Sequence, residues 1–258
     1  MTPNGLMPMR FLILDVPIDA ATRAEAERRA AEMLAEPRFH LVTTPNPEFL
    51  VAARRDEAFR KILAGADLNL PDGSGLLLWS RLVGQPLPER IPGADFTVDI
   101  CRLAAVQRQP VYFLGGERPQ VAERAAAAMK QRFPDLIVAG SEAGGRVALD
   151  SEGRWRAVPG VVERIKESQA AVVLVAFGHV RQEKWISDNL RDVPTVRLAI
   201  GIGGTFDFLA GDVRRAPIIF RRVSMEWLWR LLVEPWRWRR IWTAVVVFPW
   251  LAFKEKMR

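Results

Sequence analysis

Short apolar runs alternate with longer amphipathic stretches along most of the chain. Runs of three to five residues at Phe11–Asp15, His40–Thr44, Leu68–Leu70, Val111–Leu114, Ile137–Ala139, Val172–Ala176 and Val196–Ile200, each followed by turn residues, predict strands. The segments Ala20–Ala35, Pro47–Leu63, Gly75–Leu82, Asp95–Arg108, Pro119–Phe133 and Glu183–Leu190 predict the helices between them. Pro47 and Pro119 stand where a helix start tolerates a missing N–H. Strand and helix in alternation argue for βαβ units, and so for a parallel sheet with helices packed on it. No solenoid repeat or low-complexity linker interrupts this pattern, so residues 1–213 are expected to form one α/β body. Beyond it, Ala216–Leu232 predicts a helix, Glu234-Pro235 a break, and Trp236–Phe253 a second helix, making residues 214–258 an appendage.

Charge changes this picture at the C-terminal end. The chain carries 37 Lys+Arg against 30 Asp+Glu, yet residues 214–258 alone hold 11 Lys+Arg and 3 Asp+Glu, with six of the nine tryptophans. The basic character belongs to the appendage; the body is close to neutral. Trp and Arg interleaved at helical spacing suit the interface of an anionic membrane, where rings lie at headgroup depth and cations meet phosphates. Nucleic acid is the weaker partner for such a surface, because no binding motif accompanies it and Trp-rich apolar surface is costly beside a duplex. The uncharged run Ile241–Phe253 has 13 residues, short of the roughly 20 that a spanning helix needs. It is expected to lie on a membrane, or else to pack on the protein's own core or on a second copy. A homo-oligomer off the membrane follows from the last alternative. With a single cysteine, Cys101, and an apolar start broken at once by Asp15, the chain is expected in the cytoplasm, without a disulfide or a secretory signal.

At the carboxyl ends of parallel strands, four turns carry candidate chemistry. Thr43-Thr44-Pro45-Asn46-Pro47-Glu48 offers hydroxyl and amide groups, although Thr44 or Asn46 could equally cap a helix. Leu70-Pro71-Asp72-Gly73-Ser74-Gly75 places a carboxylate beside glycines that admit close approach of a ligand, and Asp72 could accept a proton from an attacking hydroxyl; ordinary turn chemistry accounts for the same residues. Arg90, in Glu89–Asp95, could neutralise a diphosphate, or be a solvated surface arginine. The turns at Gly115-Gly116 and Gly201–Asp207 could cradle phosphate on backbone N–H groups, but neither completes G-x-G-x-x-G. Two histidines and one cysteine are too few for the usual zinc site, and His40 falls within a strand, as a structural residue would. No Asp-x-Asp pair exists to grip a metal-bound diphosphate, so no metal or cofactor is expected. Arginines and helix N-termini must then carry the charge of any diphosphate that leaves. G-x-S-x-G and P-loop motifs are missing too, which speaks against hydrolases and NTPases.

In order, TPNPEF (44–49), PDGSG (71–75), ERIPGAD (89–95), FLGG (113–116), RQEKWI (181–186), GIGGTFDFLAG (201–211), RRAP (214–217) and EWLWRLLVEPWR (226–237) resemble the WecG/TagA/CpsF glycosyltransferases over nearly the whole chain. The resemblance implies a Rossmann-like α/β body with a C-terminal membrane-targeting appendage. It also implies an inverting, metal-independent transfer of an N-acetylmannosamine-type or related sugar from a UDP-sugar to a polyprenyl-diphosphate-linked sugar, on the inner face of the cytoplasmic membrane, in cell-surface polysaccharide synthesis. In that scheme Asp72 is the catalytic base, and Thr44 and Asn46 position the reacting sugars. Arg90 and Gln182 support the pocket. Gly115, Gly116, Gly203, Gly204 and Asp207 face the nucleotide, while Arg214, Arg215, Arg221 and Arg222 hold the acceptor's diphosphate.

The chain departs from the family pattern in two places. Gly178-His179-Val180-Arg181 stands where members usually carry a Gly-Pro-Lys approach to the Gln-Glu pair, and Gly144-Gly145-Arg146 replaces a Gly-aromatic pair near the nucleotide. Two readings from other classes remain at this level. One is a non-catalytic nucleotide-sugar-binding scaffold of a polysaccharide assembly complex. The other is a nucleotide-dependent oxidoreductase, suggested only by the sheet and its glycine turns.

Overall fold

The structure, a computed structural model, describes residues 9–116, 118, 120–213, 216–217, 220, 226–233 and 235–256. Six strands form one parallel sheet: β3 (His40–Thr43), β4 (Leu68–Asn69), β5 (Val111–Gly115), β6 (Val138–Glu142), β9 (Val172–Ala176) and β10 (Leu198–Gly201). Their order across the sheet is β4-β3-β10-β9-β5-β6, with every neighbouring pair parallel. The expected α/β architecture, a parallel sheet flanked by helices, is the observed one.

The central strands are apolar throughout because both of their faces are covered. In β9, Val172, Leu174 and Ala176 face one core and Val173 and Val175 the other; in β5, Phe113 and Leu114 divide in the same way. The first core is completed by helices α1 (Arg23–Ala35), α5 (Gly93–Val106) and α6 (Val121–Arg132) through Ala30, Met33, Phe96, Ile100 and Ala125. The second is completed by α7 (Val161–Glu167) and α8 (Arg181–Asn189) through Ile165, Trp185 and Ile186. Alternation of side chains about each strand is what separates the two cores.

Local chemistry explains where several elements begin. Thr22 and Glu25 form a reciprocal capping box at the start of α1. The helix expected over Pro47–Leu63 is two helices, α2 (Pro47–Ala53) and α3 (Glu57–Ala64), because the Asp56 side chain accepts from Phe59 N and caps a new start. The strand expected at Phe11–Asp15 also differs. It is β1 (Arg10–Ile13) of an antiparallel hairpin with β2 (Val16–Asp19), outside the parallel sheet. Leu14 and Asp15 both take positive φ, 50° and 61°, the signature of a two-residue hairpin turn. Buried Asp19 ties this hairpin to the sheet edge, accepting from Arg10 Nε at 2.7 Å and from Asn69 N at 2.6 Å.

Helix α7, the five-residue helix α9 (Thr205–Leu209) and the small hairpin of β7 (Ala148–Leu149) and β8 (Trp155–Arg156) have no counterpart among the expected elements. In the appendage, Glu226–Val233 is helical (α10), whereas Ala216 and Pro217 are not. The second expected helix is continuous but changes pitch: a 3-10 turn at Pro235–Arg237, α11 (Trp238–Trp242), a π turn at Thr243–Val247, then α12 (Phe248–Lys256). Pro249 accounts for the widening. It has no N–H to offer and its ring crowds the carbonyl four residues back, so the ladder opens just before it, with Phe248 N donating to Thr243 O.

One face of this terminal helix packs on the body. Phe248 and Ala252 are buried with Leu50, Leu76, Leu87 and the β1–β2 hairpin in a third core. Arg54 pairs with Glu255 at 2.9 Å, and Lys256 Nζ donates to Leu82 O at 3.0 Å. Packing on the protein's own core, one of the alternatives for this run, holds for that face. The opposite face, with Trp242, Val246, Trp250 and Phe253, is exposed. Among the described residues, no helix is long and apolar enough to cross a membrane.

Candidate active site

A parallel sheet delivers all its strand-end loops to one edge, and here the loops after β4, β3, β10, β9 and β5 follow one another along it. At the β3–β4 end they interlock. Asp72 N donates to Pro45 O at 2.9 Å, and Ile91 N donates to Pro71 O at 2.9 Å. The Asp72 carboxylate accepts from Gly93 N at 3.1 Å through one oxygen, while the other lies 3.7 Å from Arg90 Nε. Its side chain is 29% exposed, so the carboxylate is oriented by its neighbours yet reached by solvent. Gly93 is required where it stands: a Cβ there would fall 2.8 Å from the Thr44 hydroxyl oxygen. Gly73, at φ +128°, occupies backbone space closed to other residues, against the Pro47 ring. Thr44, Asp72, Arg90 and the start of α2 thus converge, although up to 46 residues separate them in sequence.

Asn46 is the N-cap of α2, its Oδ1 accepting from Glu48 N and Phe49 N at 2.9 and 3.1 Å. Capping consumes the oxygen and leaves the Nδ2 amide directed elsewhere, so the capping and ligand-binding readings of this residue are compatible. The appendage reaches the same helix. Arg240 Nε donates to the Glu48 carboxylate at 2.7 Å, and the His179 ring stacks on Phe49 at 6.0 Å. Burial, with Arg240 as the next contributor, holds the His179 pKa below its usual value.

Gln182 lies deeper, 2% exposed on the first turn of α8. Its Oε1 accepts from Gly203 N at 2.9 Å and its Nε2 donates to Glu183 Oε1 at 2.7 Å, so it braces the β10 turn from beneath. Glu183 is fully buried and its second oxygen accepts from Val180 N at 2.7 Å. Burial pushes its carboxyl up to about 7, against the pull of Gln182 and the Val180 amide. Val180 itself has φ +70°, a costly conformation for a β-branched residue, in the segment that departs from the pattern of the glycosyltransferases the chain resembles. Glu183 was not among the expected site residues. Within the sequence, its one distinction is its place beside Gln182 in the RQEKWI block.

On the other side, Gly115 and Gly116 end β5 with φ +108° and +99°. A Cβ on Gly115 would meet the Ala176 backbone at 2.8 Å, and Gly116 N donates to Ala176 O at 2.9 Å. The neighbouring β10 turn has Gly203 at φ +55° with open space before it. Asp207, on the first turn of α9, lies 3.4 Å from the Arg118 guanidinium. These two turns adjoin through Phe113 and Phe206, whose rings are 5.7 Å apart. Gly144 and Gly145, both at positive φ, fold over the same edge, with Gly144 against Phe177 and Leu114. Arg214, Arg215, Arg221 and Arg222 lie outside the described residues. Among the described residues, no group of three or more His, Cys, Asp or Glu side chains could hold a metal ion.

The family model for the WecG/TagA/CpsF glycosyl transferases matches residues 11–258. A protein of Bacillus spizizenii named N-acetylglucosaminyldiphosphoundecaprenol N-acetyl-beta-D-mannosaminyltransferase is 34% identical over 200 residues, covering 78% of this chain and 74% of its own. Proteins of the same name from Bacillus subtilis and Staphylococcus aureus are each 32% identical, covering 78% of this chain and 74% and 73% of theirs. A match over nearly the full length leaves no room for the scaffold or oxidoreductase readings: the chain is a glycosyltransferase and belongs to the WecG/TagA/CpsF family.

Proposed function

We propose that this enzyme transfers an N-acetylmannosamine-type or related hexose from a UDP-sugar to a polyprenyl-diphosphate-linked sugar, with inversion and without a metal. The observation that carries the reading is the convergence on Asp72. Its carboxylate is held by the Gly93 amide and by Arg90, beside Thr44, and its side chain is 29% exposed, within reach of a substrate. The names of the relatives supply the acceptor class, a diphosphoundecaprenol-linked N-acetylglucosamine.

In this mechanism Asp72 takes the proton from an acceptor hydroxyl, and that oxygen attacks the donor's anomeric carbon from the face opposite the nucleotide. The bond from carbon to the β-phosphate oxygen breaks and UDP departs, so one displacement inverts the centre. Thr44 and the Asn46 amide position the sugars. Arg90 answers charge on the diphosphate, and Gln182 acts through the β10 turn it braces. Gly115, Gly116, Gly203 and Gly204 bring backbone N–H groups to the nucleotide's phosphates, with Asp207 on its nucleoside side. Arg214, Arg215, Arg221 and Arg222 are assigned to the acceptor's diphosphate. The enzyme works peripherally on the inner face of the cytoplasmic membrane, its exposed tryptophan face against anionic lipid, and residues 1–213 and 214–258 divide catalysis from attachment.

The test is UDP release by the full-length protein with a panel of UDP-sugars and a short-chain lipid-diphosphate-GlcNAc acceptor, in detergent and without divalent metal. Acceptor-dependent release that falls at least a hundredfold in Asp72→Asn, with UDP binding retained, is the expected result for loss of a general base. Undiminished turnover in that variant removes Asp72 from the role.

A further inference from the structure

The exposed apolar surface does not stop at the appendage. Helix α4 (Ser74–Leu82), which begins two residues after Asp72, buries Leu76 and Ser80 against the body and leaves Leu78 and Leu82 62% and 61% exposed. These leucines are one turn apart and lie on one face of the helix. The terminal helix lies alongside. A Cβ at Gly75 would come within 3.9 Å of Ala244 O and Phe248, and Lys256 Nζ donates to Leu82 O at 3.0 Å. The start of α4 lies beside residues 244–248 and its end beside Lys256, so the two helices run side by side in the same direction. Each presents an outward apolar stripe: Leu78 and Leu82 on α4, and Trp242, Val246, Trp250 and Phe253 on its neighbour.

We propose that α4, an element of the catalytic body, forms part of the lipid-facing surface together with the terminal helix. The inference rests on the membrane reading of the appendage and extends it into the body. Charge favours anionic lipid over a second copy of the chain. Arg81, Arg239 and Lys254 are exposed around these stripes, and Lys254 Nζ lies 5.3 Å from the Trp250 ring. Ammonium groups beside tryptophan suit headgroup depth, whereas the core of a protein–protein interface is depleted in lysine.

The arrangement has a consequence for catalysis. Asp72 stands two residues before α4, and Leu78 lies four residues, about 6 Å, along the helix axis from its first residue. An α4 that floats at the interface therefore holds the base at a set height above the acyl boundary, where the diphosphate of a lipid-linked acceptor lies.

The experiment places single cysteines at 78, 82, 250 and, as a control beside the opposite edge of the sheet, at 132, each labelled with an environment-sensitive fluorophore in the full-length protein. Native Cys101 does not compete, because it is buried and its thiol is pushed up to about 12. Vesicles of phosphatidylglycerol and phosphatidylcholine, with and without chain-attached quenchers, are then added. Blue-shifted, quenched emission at 78, 82 and 250 but not at 132 is expected, and the double variant Leu78→Ser/Leu82→Ser should bind the vesicles about tenfold more weakly. Labels at 78 and 82 that stay in water while 250 enters lipid overturn the inference and leave the appendage reading intact. No vesicle response at any position removes both. A shift at 78 and 82 without vesicles, growing with protein concentration, assigns the stripe to a second copy instead and also overturns the proposal.

Discussion

Glu183→Gln tests the buried carboxyl behind the site. Among the described residues no lysine or arginine pairs with Glu183; its partners are the Gln182 amide and the Val180 N–H. Burial raises its pKa from 4.5 to about 7. The folded protein therefore keeps this proton over a range in which the unfolded chain gives it up. Stability is greatest below pH 4.5 and falls as pH rises towards 7, a loss of about 3 kcal/mol from this one group. Glutamine does not titrate, but its NH2 must face a donor, either Val180 N–H or Gln182 Nε2, at a cost of about 1–3 kcal/mol at any pH. At the acid end the parent is thus the more stable protein by roughly the lost hydrogen bond. Above pH 7 that advantage is offset, and the two proteins become equal or change places. Urea unfolding followed by tryptophan fluorescence at pH 5 and pH 8 measures both differences, and the subtraction cancels every other titrating group. A difference that stays constant between the two pH values would refute the assignment of this proton to Glu183.

Two further substitutions probe the same framework. Gly201→Ala puts a Cβ within 2.5 Å of Gln182 Nε2 and against the Glu183 carboxylate, both locked by hydrogen bonds; a loss of about 1–3 kcal/mol in urea unfolding is expected, with weaker nucleotide binding as the Gly203 turn loses its brace. Unchanged stability would mean that the Gln182–Glu183 pair can swing aside. For the terminal helix, Phe248→Ala should cost about 3–5 kcal/mol and Trp250→Ser less than about 0.5 kcal/mol, because Phe248 is buried and Trp250 is 60% exposed. Equal losses in thermal or urea unfolding would contradict the two-faced reading of that helix.

Much of the fold was legible because its signals are local. Val172–Ala176 is an apolar run rich in β-branched residues with a glycine turn soon after it, at Gly178, and it is a strand over those residues in the structure. Asn46 before Pro47 announces a helix start within two residues of chain. The charge and tryptophan imbalance of the appendage is likewise a property of composition alone. Leu14-Asp15 misled because it lacks the Asn-Gly or Asp-Gly signature of a tight hairpin, so a strand and its return read as a single strand. Asp56 split an expected helix because a cap competes with helix continuation over a single residue.

The site was legible only as separate turns. Asp72, Arg90, Gly93 and Thr44 each have an ordinary reading as turn, surface or cap, and no spacing in the chain says that they meet. What joins them is strand order: β3 beside β4 brings residue 44 to residue 72, and the chain after α4 returns to set Gly93 on the Asp72 carboxylate. Glu183 is the stronger case, since a glutamate in a charged segment is usually solvated, and only the burial of the first turn of α8 under β10 strips its water and moves its pKa. The sequence by itself determined the elements, their periodicity and the chemical groups available. Tertiary structure decided which groups face one another, which carboxyl is dry and which side of the terminal helix looks outward, because these depend on contacts between residues tens to hundreds of positions apart.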